Sequence, residues 1–269
     1  MITILGYCAA VLIGISLGLI GGGGSILTVP VLVYLLGFSP VLSTAYSFFI
    51  VGLAALVGSI SYMRTGLIHY KSVFYFGIPS VISVFIARKY ILPAIPSTIL
   101  NLGGWEISKN ACIMILFSIL MIAASLTMIR SKAIYKMETL EEENPNYLSM
   151  LITNGFLVGI LTGLVGIGGG FLIIPALVIL ARLPMKTAVG TSLFIIALNS
   201  LIGFAEDVNL NFDIDWAFLF FFSGFATTGI LMGTYFSRFI LGTKLKTTFG
   251  WFILVMGISI IIKETLKSL

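Results

Sequence analysis

Gly18-Leu19-Ile20-Gly21-Gly22-Gly23-Gly24-Ser25, running on to Pro30, returns 145 residues later as Gly163-Leu164-Val165-Gly166-Ile167-Gly168-Gly169-Gly170, running on to Pro175. Seven of the thirteen positions from Gly18 to Pro30 are identical in the second copy. Both copies interrupt strongly apolar sequence. Broken backbone at membrane depth is tolerated only where protein buries it or where it lines a cavity. A matched pair of breaks, one in each half, is the sequence pattern that points to a transporter binding site.

The surrounding composition places these breaks in a membrane. Of 269 residues, 59% are hydrophobic and only 9% are charged, against about 25% charged in a soluble domain. Apolar runs cover 2–20, 25–37, 41–63, 71–92 and 111–129, then 148–165, 171–181, 187–205, 215–237 and 247–263. Their length and even apolarity predict helices that cross a bilayer. Met1 to Ala10 lacks a basic n-region and is read as the start of the first transmembrane segment. The runs 25–37 and 171–181 are short: thirteen helical residues rise about 20 Å against a hydrocarbon core of about 30 Å. The glycine clusters are therefore expected within the bilayer depth, as re-entrant hairpins or as short tilted spans, two readings the sequence leaves open.

The likeness between the halves extends past the glycines. At the same offset Gly14 matches Gly159, Leu32 matches Leu177, Ser47 matches Ser192 and Gly58 matches Gly203. With small gaps, Ile68-His69-Tyr70 falls beside Ile214-Asp215-Trp216. Charge then suggests orientation. The connection 64–71 carries Arg64, His69 and Lys71 and no acid, whereas 206–215 carries Glu206, Asp207, Asp213 and Asp215 and no base. Connection 37–41 is uncharged, and 182–186 carries Arg182 and Lys186. Lys and Arg mark cytoplasmic loops, so equivalent loops are expected on opposite faces. Arg88, Lys89, Lys109, Lys263 and Lys267 run against that pattern. The expected fold is an all-α polytopic membrane protein, an inverted repeat of two five-segment halves with broken or re-entrant helices at the Gly motifs. Residues 1–130 form the N-terminal transmembrane repeat, 131–147 a cytoplasmic linker and 148–269 the C-terminal transmembrane repeat, with both termini outside. The connection from Pro93 to Lys109 reads as amphipathic, with Trp105 at the interface.

Glycine in a helix interior costs about 0.5–1 kcal/mol relative to alanine, so runs of three or four unwind it. The next helix then starts with unpaired N–H groups and a partial positive charge. Backbone without side chains lets an anion approach those amides closely. The candidate substrate-binding residues are accordingly Gly21, Gly22, Gly23, Gly24 and Ser25 in the first half, and Gly166, Gly168, Gly169 and Gly170 in the second. Ser47, Thr191 and Ser192 are added as donors from the helix that follows each motif. The competing reading is close helix packing through small residues, which fits the Gly14/Gly18 pair best. Hydroxyls in such helices often bond their own backbone, and Asn199 is read as a bridge between helices. Arg88 and Arg238 are expected to snorkel to the interface, Glu206 and Asp207 to be outer-loop acids, His69 to be solvated, and Cys8 and Cys112 to be small buried thiols.

No nucleophile–base pair, metal-type cluster or nucleotide-binding loop stands in the sequence, so no enzyme, metal or cofactor is expected. The formal charge of +5 lies at the ends of apolar runs rather than in a basic stripe, which argues against nucleic acid. The expected partners are a small anionic substrate and the lipid bilayer, with a homodimer left open.

Gly18-x-x-Gly21-x-Gly23-Gly24 with Pro30, and Gly163-x-x-Gly166-x-Gly168-Gly169 with Pro175, resemble the paired motif of the TauE/SafE sulfite-exporter family. Ala188-Val189-Gly190-Thr191-Ser192-Leu193 is similar to that family's sequence after the second motif, whereas Thr44-Ala45-Tyr46-Ser47-Phe48 lacks the Gly-Thr pair. The resemblance covers nearly the whole chain. It implies a secondary transporter in the cytoplasmic (inner) membrane of a prokaryote, exporting sulfite, sulfoacetate or a related organosulfonate by alternating access. A passive small-anion channel and a non-transporting membrane scaffold are the alternatives.

Overall fold

The computed structural model describes residues 2–96, 98–102, 105–130, 147–166, 168–208, 214–237 and 242–267. The helices of the first half are α1 (Ile2–Ile20), α2 (Ser25–Pro30, continued by a π-helical turn Val31–Leu35), α3 (Pro40–Arg64), α4 (Tyr70–Ala94) and α5 (Lys109–Arg130). Those of the second are α6 (Tyr147–Val165), α7 (Gly170–Ile179), α8 (Met185–Val208), α9 (Trp216–Phe236) and α10 (Gly242–Lys267). Six of them, α3 to α6, α8 and α9, contain stretches long and apolar enough to cross a membrane. The one sheet among the described residues lies in the connection expected to be amphipathic. It forms an antiparallel hairpin of β1 (Thr98–Leu102) and β2 (Trp105–Ser108), with Leu102 opposite Trp105. Lys132 and Lys136 of the linker, Arg238 and the acid Asp213 lie outside the described residues.

Helix starts follow local chemistry. Ser39 accepts from the Leu42 N–H at 3.4 Å, and Pro40 occupies the first turn of α3, where its missing N–H costs nothing. Asp215 accepts from the Phe218 N–H at 2.9 Å to open α9. His69 opens α4 in the same way, its Nδ1 accepting from the Ser72 N–H at 3.3 Å.

Helices α3 and α8 form the centre: 72% of the apolar stretch of each is buried, against 33% for α6. They run antiparallel. Gly203 packs on Phe48, Gly52 on Ser200 and Leu201, Gly58 on Leu193, and Gly190 on Tyr62. Two further contacts are reciprocal. Helix α1 lies along α9 through Gly14 and Gly18, where an added Cβ would stand 2.0 Å from the Ala226 carbonyl and 2.5 Å from that of Ile230. Helix α6 lies along α4 through Gly155 and Gly159, where it would stand 2.4 Å from the Phe76 carbonyl and 2.0 Å from the Ser83 hydroxyl. Small residues let apolar helices approach to backbone contact, the main source of association where lipid removes the hydrophobic drive. The packing reading of Gly14 and Gly18 therefore holds. The outer shell is apolar: Leu12, Phe74, Phe220, Phe221 and Val255 are each between 60% and 67% exposed, as a lipid-facing surface requires. Cys8 and Cys112 are exposed rather than buried. An apolar run does not distinguish the face of a helix turned to lipid from the face turned to protein.

Candidate anion site

Both glycine motifs break their helices. Helix α1 stops at Ile20, Gly21 takes φ +77°, and Gly22–Gly24 form a single 3₁₀ turn before α2. Helix α6 stops at Val165, and Gly166, Gly168 and Gly169 all have positive φ (76°, 62° and 78°) before α7 begins. Gly169 caps α7, its carbonyl accepting from the N–H groups of Leu172 and Ile173 at 2.9 Å each. These left-handed conformations suit glycine and strain any other residue.

The two breaks meet. A Cβ built on Gly22 would lie 1.9 Å from the Cα of Gly170, and one on Gly170 would lie 2.1 Å from the Cα of Gly22. The discontinuities of the two halves thus sit backbone against backbone in the protein interior. Around them the proposed donors divide. Ser25 bonds the Gly22 carbonyl at 2.6 Å, closing the first break on itself. Ser192 bonds the Val189 carbonyl at 2.8 Å and flanks Gly21. Thr191 accepts the His69 N–H at 2.9 Å, and keeps its own proton as a donor. Ser47 is fully buried with no partner for its hydroxyl among the described residues, as is Ser200, which lies against Gly168. Asn199 bridges α8 to α4, donating to the Ser80 hydroxyl at 2.8 Å.

The strongest charges in this interior were read otherwise from sequence. Arg88 does not snorkel: it is 0% exposed, and its Nη1 stands 3.1 Å from Oδ1 of Asp207 and 3.1 Å from the Thr44 hydroxyl. Its guanidinium lies over the Phe48 ring, 4.4 Å from the centroid. Asp207 is likewise 0% exposed, not an outer-loop acid. The inward turn has a physical cause. A cation in the membrane interior needs a partner, and α8 brings an acid to the depth at which α4 carries the arginine. The far side of the guanidinium meets the second glycine break, since a Cβ on Gly166 would fall 2.7 Å from Nη2. Arg88 stands four residues from the end of the apolar run 71–92, where the sequence alone does not separate the two outcomes. His69 is also not free in solvent. It is half-buried, gives its N–H to Thr191, and its ring contacts the Ser72 hydroxyl at 2.9 Å.

The comparisons with known proteins agree with this architecture. A family model described as Sulfite exporter TauE/SafE matches residues 7–260. A probable membrane transporter protein of Xylella fastidiosa (strain 9a5c) is 29% identical over 260 residues, covering 93% of this chain and 91% of the relative. The probable membrane transporter protein YunE of Bacillus subtilis is 30% identical over 224 residues, covering 74% of this chain and 77% of the relative. A probable membrane transporter protein of the archaeon Methanocaldococcus jannaschii is 28% identical over 216 residues, covering 78% of this chain and 73% of the relative. No solved structure matches the chain. With the apolar helices described above, these likenesses establish a multi-pass membrane transporter of this type.

Proposed function

The chain belongs to the sulfite exporter TauE/SafE family, and on that premise we propose that it is a secondary carrier moving a small sulfur-containing anion outward across the cytoplasmic membrane of a prokaryote by alternating access. The observation that carries this reading is the backbone contact between Gly22 and Gly170, which joins two helix breaks, one from each half, inside the protein. Transporters place substrate at such discontinuities because unwound segments and helix N-termini offer polar groups that a continuous helix consumes internally. Gly21 to Ser25, Gly166 and Gly168 to Gly170 would cradle the anion, with Ser47, Thr191 and Ser192 as supporting donors. The substrate class is sulfite, sulfoacetate or a related organosulfonate.

The mechanism we propose rests on an inverted repeat with both termini outside. Antiparallel packing of α3 on α8 supports it, because equivalent helices of two parallel-facing halves would run in the same sense. The reciprocal pairs α1 with α9 and α6 with α4 support it as well: each half lends its first helix to the fourth helix of the other. Such an exchange couples the halves, so that rocking one against the other would move both breaks together. Inside-negative potential favours anion export by about 2.3 kcal/mol per charge per 100 mV, so no coupling ion is required.

Counterflow in proteoliposomes tests the function. Vesicles loaded with unlabelled sulfite or sulfoacetate are expected to accumulate the labelled anion transiently, with saturation. Linear, non-saturating flux without counterflow would replace the carrier by a channel, and the absence of flux for every anion would leave only a scaffold.

A further inference from the structure

The buried ion pair of Arg88 and Asp207 is incompletely satisfied. Nη1 holds both Asp207 and Thr44, while among the described residues Nε and Nη2 have no partner, and neither does Oδ2 of Asp207. Arginine and carboxylate ordinarily meet through two parallel hydrogen bonds, and a buried pair kept only for structure needs its remaining donors filled. Here one edge of the fork is left open in a side chain that reaches no solvent. Nη2 of that edge lies against Gly166, the residue that follows α6 at the second glycine break. Phe48 beneath the guanidinium fixes its plane. Arg88 also lies in a π-helical turn, Ala87–Ile91, a distortion that recurs at functional sites.

Resting on the anion-carrier reading above, we propose that Arg88 is the residue that recognises the charge of the transported oxyanion, and that Asp207 is the resident anion the substrate displaces. A sulfite or sulfonate group presents two oxygens at the spacing of the Nε/Nη2 edge, which a planar fork matches and an ammonium does not. The Thr44 hydroxyl, whose proton goes to the Val41 carbonyl, and the backbone at Gly166, whose N–H goes to the Thr162 carbonyl, border the same guanidinium and position it, leaving the charge recognition to the fork itself. Single-point pairing to Asp207 holds Arg88 in place in the empty carrier while leaving it exchangeable. When the anion leaves, the carboxylate returns, so that the cation is never left bare in the interior.

The test is thermal stabilisation of purified full-length protein by sulfite and by sulfoacetate, run beside counterflow. Wild type is expected to be stabilised with saturation. Asp207→Asn removes the competitor and is expected to bind the anion at least tenfold tighter while exchanging it more slowly. The neutral pair Arg88→Gln with Asp207→Asn removes both charges together and leaves no unpaired ion, and is expected to lose affinity at least tenfold while retaining an unliganded melting transition. Arg88→Lys, which keeps charge but not the fork, is expected to bind more weakly than wild type. Wild-type affinity in the neutral pair would overturn the proposal while leaving the carrier reading intact. Should the neutral pair fail to fold, unchanged or weaker binding by Asp207→Asn would overturn it equally. If neither anion stabilises wild type and no flux is seen, the carrier reading falls and this inference falls with it.

Discussion

The hydroxyl of Tyr46 accepts a hydrogen bond from the backbone N–H of Asp215 at 2.8 Å. The mirror relation is also present, with Thr191 accepting from His69 at 2.9 Å. Tyr46 and Thr191 are equivalent at the 145-residue offset, and His69 and Asp215 are the aligned residues that cap α4 and α9. Each bond crosses from one half to the other and anchors the start of a long helix to the central pair α3 and α8. Tyr46→Phe keeps the ring contacts with Phe38 and Phe218 but leaves the Asp215 N–H without its acceptor. An unmet donor of this kind costs about 1–3 kcal/mol. The melting temperature in detergent is expected to fall for Tyr46→Phe, and for Thr191→Val, whereas Thr191→Ser, which keeps the acceptor, is expected to retain more of the stability.

The contact of the two glycine breaks makes a sharper prediction. Gly22→Ala and Gly170→Ala would each drive a methyl group to about 2 Å from backbone of the opposite half, where no side chain can yield. Overpacking typically costs about 1–3 kcal/mol, and a clash with main chain belongs at or above the top of that range. Both variants are expected to assemble poorly and to lose anion-dependent stabilisation. Gly224→Ala is the control, because nothing lies within 4 Å of its added Cβ. It is expected to match wild type or to gain up to about 1 kcal/mol from helix propensity. Equal melting transitions for Gly22→Ala and Gly224→Ala would remove the close approach on which the site depends.

Much of this arrangement was legible in the residues because it rests on local chemistry. Glycine runs unwind helices wherever they lie, so the breaks at Gly21–Gly24 and Gly166–Gly169 follow from sequence, and the apolar runs give the helices to within a few residues. The partners of long side chains follow no such rule. Arg88 sits near the end of an apolar run, where snorkelling and inward pairing are equally compatible with its neighbours. The choice depends on Asp207, 119 residues away, and on the close approach of α6 to α4 that seats Gly166 beside it. The small hydroxyls show the same limit. Ser47 and Ser192 are equivalent in sequence, yet Ser192 bonds its own helix and Ser47 has no partner among the described residues, because the packing around the two breaks is not identical.

Stability gives an independent view of the buried pair. Arg88→Gln alone leaves the Asp207 carboxylate buried without a counter-charge, and breaking a buried pair from one side costs about 3–5 kcal/mol. Asp207→Asn leaves the reciprocal charge. The double variant removes both, so its loss is expected to be smaller than that of Arg88→Gln, with a coupling of about 0.5–3 kcal/mol in a double-mutant cycle. Unfolding of all four proteins under identical detergent conditions measures it. Strict additivity of the two single losses would mean that the charges do not sense each other in the folded protein.

The proposed inverted arrangement predicts which loops share a side. Ser39 before α3 and Lys186 at the start of α8 occupy equivalent connections, and both are exposed. Antiparallel α3 and α8 place these two helix starts at opposite ends of the central pair. Lys186, beside Arg182, is expected in the cytoplasm by the excess of basic residues there. Arg88 no longer weighs against that assignment as a surface charge, since it is buried with Asp207, and Lys109 is held inward by its bond to the Leu92 carbonyl. In a background with Cys8 and Cys112 replaced by serine, Ser39→Cys is expected to react with a membrane-impermeant maleimide in intact cells. Lys186→Cys is expected to react only after the membrane is opened. Labelling of both from the same side would require the two halves to insert in the same sense, and would contradict the antiparallel central pair.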